Sequence, residues 1–217
     1  MKYTSLFFLL LFTFAAYGQQ EQSFLDSRDG KKYKAVKIGN QTWMAENLNY
    51  NPGTGTSACY RHKSENHNDP SYCDYYGRLY GWETAMKVCP PGWHLPNRDE
   101  WNTLSNYVES NSDCSGCDAK KLKSTSGWDN FADKKGNGTN DYGFSALPGG
   151  YGYPAGSFYP AGSFYDVWYR GRWWSASENE DSNGLAYCRV MFARYDYAYW
   201  INYYKFTLHS VRCLQDY

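Results

Sequence analysis

A proline-rich turn that leads directly into a helix start lies at residues 89–101, with the sequence C-P-P-G-W-H-L-P-N-R-D-E-W. Proline lacks a backbone N–H and holds its φ nearly fixed, so the segment predicts an ordered, non-repetitive turn rather than a strand. Asn97 is a favourable N-cap, and Glu100 stands three residues later, where its carboxylate can reach the amide of the cap. Apolar residues then recur at helical spacing, at Trp101, Leu104 and Val108. The segment therefore predicts a capped helix over residues 97–109.

The N-terminus has the pattern of an export signal. Lys2 precedes an apolar run over residues 6–16, and Ala16 and Gly18 occupy the −3 and −1 positions of a signal-peptidase site. The run is short for a bilayer core roughly 30 Å thick, and no cysteine directly follows it that could carry a lipid. We expect a signal peptide at residues 1–18, a polar leader at 19–25 and one domain at 26–217. That domain is expected to be secreted or displayed on the cell surface, with no stable membrane span after cleavage.

Charge and composition narrow the classes of partner. The formal net charge is zero and the pI is about 6.9, so the chain lacks the basic excess that binds nucleic acid or anionic membranes. Mean hydropathy is −0.76 although 20% of the residues are aromatic, which means that Tyr, Trp and Phe hold much of the apolar content. Such side chains stabilise loop-rich folds and also form sugar-binding platforms, and composition alone does not choose between these roles.

Periodicity and turn signals outline the rest of the domain. Residues 33–44 alternate on either side of a Gly-Asn turn, which predicts a hairpin. Helical spacing predicts a helix over residues 79–88 and a short one over 118–124. Helical periodicity then ends, so we expect loops and short strands, the last of them beside the N-terminal hairpin. The closing strands are expected at residues 185–192, 197–202 and 206–213.

Seven cysteines in an exported chain should mostly form disulfides, and the odd number leaves one over. Cys59 and Cys73 bracket a polar loop, and closing that loop would stabilise the fold by roughly 3 kcal/mol in the loop-entropy model. Cys114 and Cys117, in C-S-G-C, can close a local bridge. The redox interpretation of this spacing lacks the strand-then-helix context typical of such sites.

Ordered sequence blocks extend over almost the whole mature chain. They are D-S-R-D-G-K-K-Y from Asp26, I-G-N-Q-T-W-M-A-E-N-L from Ile38, C-Y at Cys59, Y-G-R-L-Y-G-W from Tyr76, G-W-H-L-P from Gly92, G-F-S-A-L-P-G-G from Gly143, W-W-S-A-S-E from Trp173 and V-R-C-L-Q-D from Val211. In composition and order these blocks resemble the Fibrobacter succinogenes major paralogous domain family. The resemblance implies no ligand.

A second resemblance concerns the fold. The segment L-P-N-R-D-E-W is similar to the L-P-T-E-A-E-W signature of formylglycine-generating-enzyme-like proteins, which have a C-type-lectin-like fold. It implies a disulfide-stabilised α+β architecture with two helices, short antiparallel strands and long loops. In that fold a cysteine near the first helix bridges to one in the last strand, which implies a Cys89–Cys213 disulfide. Cys188 is then left as a small buried thiol, although the oxidase chemistry of those relatives, which uses paired cysteines, makes it the centre of an enzyme alternative.

A direct duplication of Y-P-A-G-S-F at residues 153–164 is interpreted as lengthening one exposed aromatic loop. The candidate ligand-binding residues in and after it are Tyr153, Phe158, Tyr159, Phe164, Tyr165, Trp168 and Tyr169, with Tyr151 just before them. Their rigid rings could stack on sugars. The alternative is that several of them pack the loop against the domain, and core packing is the interpretation for Trp43, Trp173 and Trp174.

Other chemistry has weaker signals. A calcium site, as in C-type lectins, could use oxygen ligands from Asp133, Asn137, Asn140 and Asp141. Lys135 interrupts that cluster and no Glu closes it, so a solvated loop is the alternative and no metal site is predicted. His62 and His67 lack a third ligand, and His94 is interpreted as bonding to the backbone at its turn. No serine elbow, phosphate-binding loop or catalytic carboxylate pair is visible.

The sequence therefore predicts a non-catalytic binding module without a cofactor, which recognises extracellular glycan or polysaccharide through the aromatic loop. One alternative is an oxidase or other modifying enzyme. The other is a structural adhesion module that binds a surface protein.

Overall fold

The computed structural model describes residues 22–61, 71–154 and 162–217, and the predicted signal peptide lies outside them. In these ranges the helices are α1 (Ser71–Tyr76), α2 (Trp82–Val88), α3 (Arg98–Ser110) and α4 (Asp118–Leu122). The strands are β1 (Gln22–Leu25), β2 (Lys32–Ile38), β3 (Gln41–Met44), β4 (Ser57–Ala58), β5 (Leu79–Tyr80), β6 (Trp93–His94), β7 (Gly149–Gly152), β8 (Phe164–Val167), β9 (Arg170–Glu178), β10 (Leu185–Phe192), β11 (Tyr199–Tyr204), β12 (His209–Ser210) and β13 (Leu214–Gln215). None of the described helices has the length and apolar composition needed to cross a membrane.

The domain is rich in β structure, with 34% of residues in strands and 17% in helices. The prediction of a C-type-lectin-like α+β fold with two helices, short strands and long loops is therefore wrong. The C-terminal half, whose Gly, Asn, Tyr and Trp content suggested loops, forms the long strands β9 and β10, of nine and eight residues. Aromatic side chains fit a pleated, half-buried surface, so the same composition also supports strands.

The strands form two sheets. A five-stranded antiparallel sheet has the order β1-β2-β3-β13-β6, so the chain's last strand pairs with the N-terminal hairpin as predicted. An eight-stranded mixed sheet, curled into a half-barrel, follows the path β11-β10-β9-β12-β5-β4. The β7–β8 hairpin joins this second sheet where β7 runs parallel to β9. Strand β11 lies at the outer end of the path.

Local signals account for the helix positions. At the start of α3 the Asn97 side chain accepts a hydrogen bond from the Glu100 N–H at 3.0 Å, and the Glu100 carboxylate accepts from the Asn97 N–H at 2.8 Å. This is the predicted capping box. Helix α2 is shorter than predicted, because Leu79 and Tyr80 pair with β12 and β4 as a strand.

Crosslinks and large rings stabilise the interior. Disulfides join Cys59 to Cys73, Cys89 to Cys213 and Cys114 to Cys117, the pairs expected from the sequence. Cys188 is free and buried. The core predicted for Trp43, Trp173 and Trp174 is confirmed, since all three side chains are fully buried.

The interior also contains a buried cation. Arg212 has no exposed surface, and its guanidinium donates to the Asn47 side-chain oxygen at 2.8 Å. It also donates to three main-chain carbonyls, those of Met44, Phe144 and Ser145. Burial lowers the pKa of Arg212 to about 9, which is still above neutral pH. The group is therefore charged and is satisfied by carbonyl dipoles.

Candidate functional site

One face of the large sheet carries aromatic and arginine side chains in register. Val190 of β10 pairs with Tyr199 of β11 on one side and with Arg172 of β9 on the other. Directly paired residues point to the same side of a sheet, and alternate residues along a strand share a face. Tyr199, Ile201 and Tyr203 therefore form a half-buried row along β11 on the face that carries Arg172, and they pack against buried Val190 and its neighbours.

At one end of this row, Arg172 lies against two tyrosines, which in turn contact two more. We call Tyr151, Tyr153, Tyr165, Tyr203 and Arg172 the tyrosine cluster. The guanidinium carbon lies 3.7 Å from the ring centroid of Tyr151 and 4.9 Å from that of Tyr203. Tyr151 stacks on Tyr165 with centroids 5.5 Å apart, and the hydroxyls of Tyr153 and Tyr203 are 3.0 Å apart. One cation thus links the β7–β8 hairpin to β9 and β11.

Arg172 retains unused hydrogen-bonding capacity. Its side chain is only 6% exposed, and its Nε and Nη1 atoms have no hydrogen-bond partner among the residues that the structure describes. Its Nη2 is 3.5 Å from Asp166, which already binds Arg170 at 2.8 Å. Burial alone would raise the pKa of Tyr203, but hydrogen bonds with Tyr153 and Arg172 outweigh it and lower that pKa. The Tyr203 hydroxyl is therefore a stronger donor than an ordinary tyrosine hydroxyl.

At the other end of the row, two exposed rings lie beside two half-buried ones. We call Phe131, Arg194, Tyr195, Tyr197 and Tyr199 the aromatic ridge. Tyr195 stacks on Tyr197 at 5.0 Å and meets Tyr199 edge-on at 6.1 Å. Phe131 and Tyr197 are 40% and 45% exposed. The guanidinium of exposed Arg194 lies 4.6 Å from the ring centroid of Tyr195 and 5.2 Å from that of Phe131. The ridge thus presents two exposed rings and one cation to solvent, supported by the half-buried rings of Tyr195 and Tyr199.

The predicted aromatic loop is divided between the two sides of the β7–β8 hairpin. In β8, Tyr165 faces the tyrosine cluster, whereas Phe164 points the other way and packs on Tyr60 at 5.3 Å. Phe164 is 7% exposed and Tyr153 is 5% exposed. Both side chains are therefore buried, although the loop was expected to be exposed. Phe164 lies on the side of β8 that faces the core, because side chains alternate along a strand. Ligand binding by these two residues stays a prediction.

The remaining loop residues have separate positions. Trp168 follows β8 in a left-handed conformation, with a φ of 71°, and its half-buried ring packs on the core beside Phe164. Tyr169 is exposed, and the charge of neighbouring Asp129 raises its pKa. Phe158 and Tyr159 lie outside the described residues. Of the predicted set, the structure brings only Tyr153 and Tyr165 into the tyrosine cluster.

Sequence reasoning missed the ridge and the row on β11. These residues were interpreted only as a closing strand, although the stretch R-Y-D-Y-A-Y-W-I-N-Y-Y places tyrosine at every second position from Tyr195 to Tyr199, and again at Tyr203. Within β11 a period of two assigns Tyr199 and Tyr203 to one face, whereas Tyr195 and Tyr197 lie in the turn before the strand. That pattern could have identified the site.

Three of the four candidate calcium ligands already bond to other groups of the protein. Asp141 pairs with Lys121 at 2.8 Å, Asn140 accepts from the Ser145 N–H at 2.7 Å, and the Asn137 side-chain oxygen accepts from a backbone N–H at 3.0 Å. Within the described ranges, no group of three or more His, Cys, Asp or Glu side chains converges as metal ligands. These residues do not fit a calcium site. His62 and His67 lie outside the described residues.

His94 joins the turn before α3 to the C-terminal tail. Its Nδ1 lies 2.6 Å from Asp216 and its Nε2 lies 2.9 Å from Glu100. The expected bond to the turn's backbone is therefore wrong, since both ring nitrogens are engaged by carboxylates, one of them far away in sequence. Burial would lower the pKa of His94, but hydrogen bonds to the two carboxylates outweigh it and raise that pKa.

Cys188 does not have the environment of a reactive thiol. It is fully buried, and burial raises the pKa of its thiol to about 12, so the nucleophilic thiolate is scarce at neutral pH. The other six cysteines form disulfides. A second thiol for paired-cysteine chemistry would have to come from opening one of these bridges.

A concavity of about 490 Å³ beside α2 is lined by Arg28, Tyr50, Lys87 and their neighbours. Arg28 stacks on Tyr50 there, but its charge is already paired with Asp26 at 2.6 Å. The sheet face is therefore the stronger candidate site.

These features define a disulfide-stabilised, β-rich domain with an aromatic face that carries arginines. A family model described as the Fibrobacter succinogenes major domain matches residues 36–215. The chain therefore belongs to that family, as its ordered sequence blocks predicted. No curated protein and no solved structure matches the chain.

Proposed function

We propose that this protein is an exported binding module that recognises extracellular glycan and acts without chemistry of its own. The observation that carries the proposal is the line of tyrosines from exposed Tyr197, in the turn before β11, to Tyr199 and Tyr203. The last two are half-buried and pack on the core, so each presents part of its ring to solvent. Flat, rigid rings offer contact area at a low cost in side-chain entropy. A polysaccharide chain is elongated, so it fits an extended row of rings better than it fits a closed cavity.

The geometry supports an extended ligand. From Tyr199 to Tyr203 the row spans roughly 13 Å, at about 3.3 Å per strand residue. The stacked pair Tyr195–Tyr197 continues it at one end, and the tyrosine cluster continues it at the other. Hydroxyl groups along the row can donate and accept hydrogen bonds, as sugar hydroxyls require.

Two further observations support export. Three disulfides are typical of proteins that fold in an oxidising compartment. The N-terminal sequence has the charge, apolar run and small residues of a cleavable signal.

The proposal is tested by electrophoresis of the purified domain through gels that contain single polysaccharides. We expect at least one polysaccharide to retard the wild type. Tyr197→Ala should weaken that interaction about tenfold, because a lost aromatic contact costs on the order of 1.5 kcal/mol. Thermal unfolding should show that Tyr197→Ala remains folded, since the ring is 45% exposed and lies outside the buried core.

Tyr217→Ala is the matched control. It removes a tyrosine that is 90% exposed and lies outside the row, so it should bind as the wild type does. Glycan recognition by this face is contradicted if no polysaccharide retards the wild type, or if the two variants behave alike.

A further inference from the structure

The aromatic face has a local excess of positive charge. Arg170 and Arg172 share one carboxylate, that of Asp166, and Arg194 adds a third guanidinium at the ridge. The chain as a whole has a formal net charge of zero. The excess on this face is therefore specific to it and does not reflect a generally basic protein.

Arg194 is exposed and oriented but has no anionic partner. Its guanidinium lies against the rings of Phe131 and Tyr195, and Phe192 is 5.9 Å away. No carboxylate in residues 22–61, 71–154 or 162–217 forms an ion pair with it. Stacking fixes the plane of the group and leaves its N–H edge able to donate, which is the arrangement that binds carboxylates in a bidentate way.

Arg172, which is buried, is a second arginine that stacks on a ring and has N–H groups left to donate. Its planar group lies over Tyr151, and two of its nitrogen atoms are buried without acceptors. A buried donor without an acceptor costs free energy. An acceptor brought by a ligand at the tyrosine cluster would recover that cost.

From these contacts we infer that the glycan bound by this face is acidic, with carboxylate or sulfate groups that pair with Arg194 and Arg172 while its sugar rings stack on the tyrosines. The inference rests on the proposed function, since it specifies the class of ligand for the same face. Carboxylate and sulfate can each present two oxygens to a guanidinium, so the structure does not choose between them. The experiment below therefore uses one polysaccharide of each kind.

A single-stranded nucleic acid also combines rings with negative charge. Polyanion binding to nucleic acid is driven by several cations along a track and by the release of counterions. This face has three arginines: Arg172 is buried, Arg170 and Arg172 share the carboxylate of Asp166, and Arg194 is exposed. The structure therefore favours a glycan with spaced anionic groups over a polynucleotide.

The experiment compares binding of the full domain to a neutral β-glucan, a polyuronate, a sulfated polysaccharide and single-stranded DNA. We expect the polyuronate or the sulfated polysaccharide to bind at least about tenfold more tightly than the neutral β-glucan, and high salt to weaken that binding. Arg194→Ala should reduce acidic-glycan affinity about tenfold and change neutral-glycan affinity less than about twofold. Arg194→Lys should lie between the wild type and Arg194→Ala, because it keeps the charge but loses the planar stack.

Lys37→Ala is the matched control, since it removes an exposed cation on β2, away from this face. It should leave all affinities unchanged. Equal binding of neutral and acidic glycans, or equal effects of Arg194→Ala and Lys37→Ala, would overturn the acidic-ligand inference and leave the proposed function standing. Tighter binding of DNA than of any polysaccharide would overturn it in favour of nucleic acid. Failure of every polysaccharide to bind would remove the proposed function itself.

Discussion

Two buried arginines of this domain differ in whether their N–H groups have hydrogen-bond acceptors. Arg212 donates to three main-chain carbonyls and to Asn47, so its charge is balanced inside the protein. Arg172 is almost as deeply buried, yet its Nε and Nη1 have no acceptor. A buried cation that the protein fully satisfies stabilises one packing arrangement, whereas one with free donors can respond to a ligand. This contrast distinguishes the structural arginine from the one assigned to binding.

His94 provides a prediction for pH dependence. Its pKa in the folded state is raised above that of an ordinary histidine, because hydrogen bonds with Asp216 and Glu100 favour the charged ring and outweigh burial. The folded state therefore binds more protons than the unfolded state between the two pKa values, and stability falls as pH rises through the folded pKa. We expect the free energy of unfolding to decrease between about pH 6.5 and that folded pKa, measured by urea denaturation at each pH.

Asp216→Asn should reduce this decrease, because it removes one of the two negative charges on the ring. The His94 pKa, followed by NMR of the imidazole protons, should move down in the same variant. Glu180→Gln neutralises an exposed carboxylate elsewhere and should change neither quantity. An unchanged His94 pKa in Asp216→Asn would show that the tail contact does not form in solution.

At the scale of elements, the start of α3 is set by the capping box at Asn97 and Glu100. Asn97→Ala removes the side-chain acceptor for the Glu100 N–H and should lower the free energy of unfolding by about 1 kcal/mol. Asn106→Ala changes the same residue type at an exposed position inside the helix. It should be neutral or slightly stabilising, because Ala has the higher helix propensity. Urea denaturation of the two variants measures the difference, and equal effects would mean that the cap adds nothing to stability.

Elements defined by local signals were predictable. The cap placed α3, a Gly-Asn turn placed the β2–β3 hairpin, and apolar and β-forming residues placed β10 at its observed bounds. Strand β5 was not predicted, since Leu79 and Tyr80 fit a helical face until their pairing with β12 and β4 is known. Such pairing joins residues distant in sequence, and neither periodicity nor propensity reports it.

In the candidate site, too, some residues could be predicted from the sequence and others required the pairing of distant strands. Aromatic composition selected Tyr165, which lies in the tyrosine cluster, and also Phe164, its neighbour on the buried side of β8. The partner of Tyr165 in the cluster, Arg172, lies on β9 and became recognisable only through the sheet register. The tyrosine row on β11 was within reach of a period-two count, whereas its alignment with Arg172 through Val190 required the structure.

For the whole molecule, the Cys89–Cys213 disulfide connects distant parts of the chain. Cys89 follows the last residue of α2, and Cys213 precedes β13, which adds the C-terminus to the five-stranded sheet. The Cys213 carbonyl also accepts a hydrogen bond from Met44 of β3 at 3.0 Å. The disulfide therefore joins the start of the C-terminal strand to the end of α2. The hydrogen bond from Met44 joins the same position to the N-terminal hairpin.

Removing this disulfide should destabilise the domain more than removing Cys59–Cys73. The bridges enclose sequence separations of 124 and 14, and in the loop-entropy model they stabilise by about 5 and about 3 kcal/mol. Urea denaturation of Cys89→Ala/Cys213→Ala and Cys59→Ala/Cys73→Ala should therefore differ by about 2 kcal/mol. The two double variants are each other's control, because both replace two thiols and keep Cys188. A larger loss for the Cys59 and Cys73 pair would mean that local packing around the short loop, rather than restriction of the unfolded chain, determines what the crosslinks contribute.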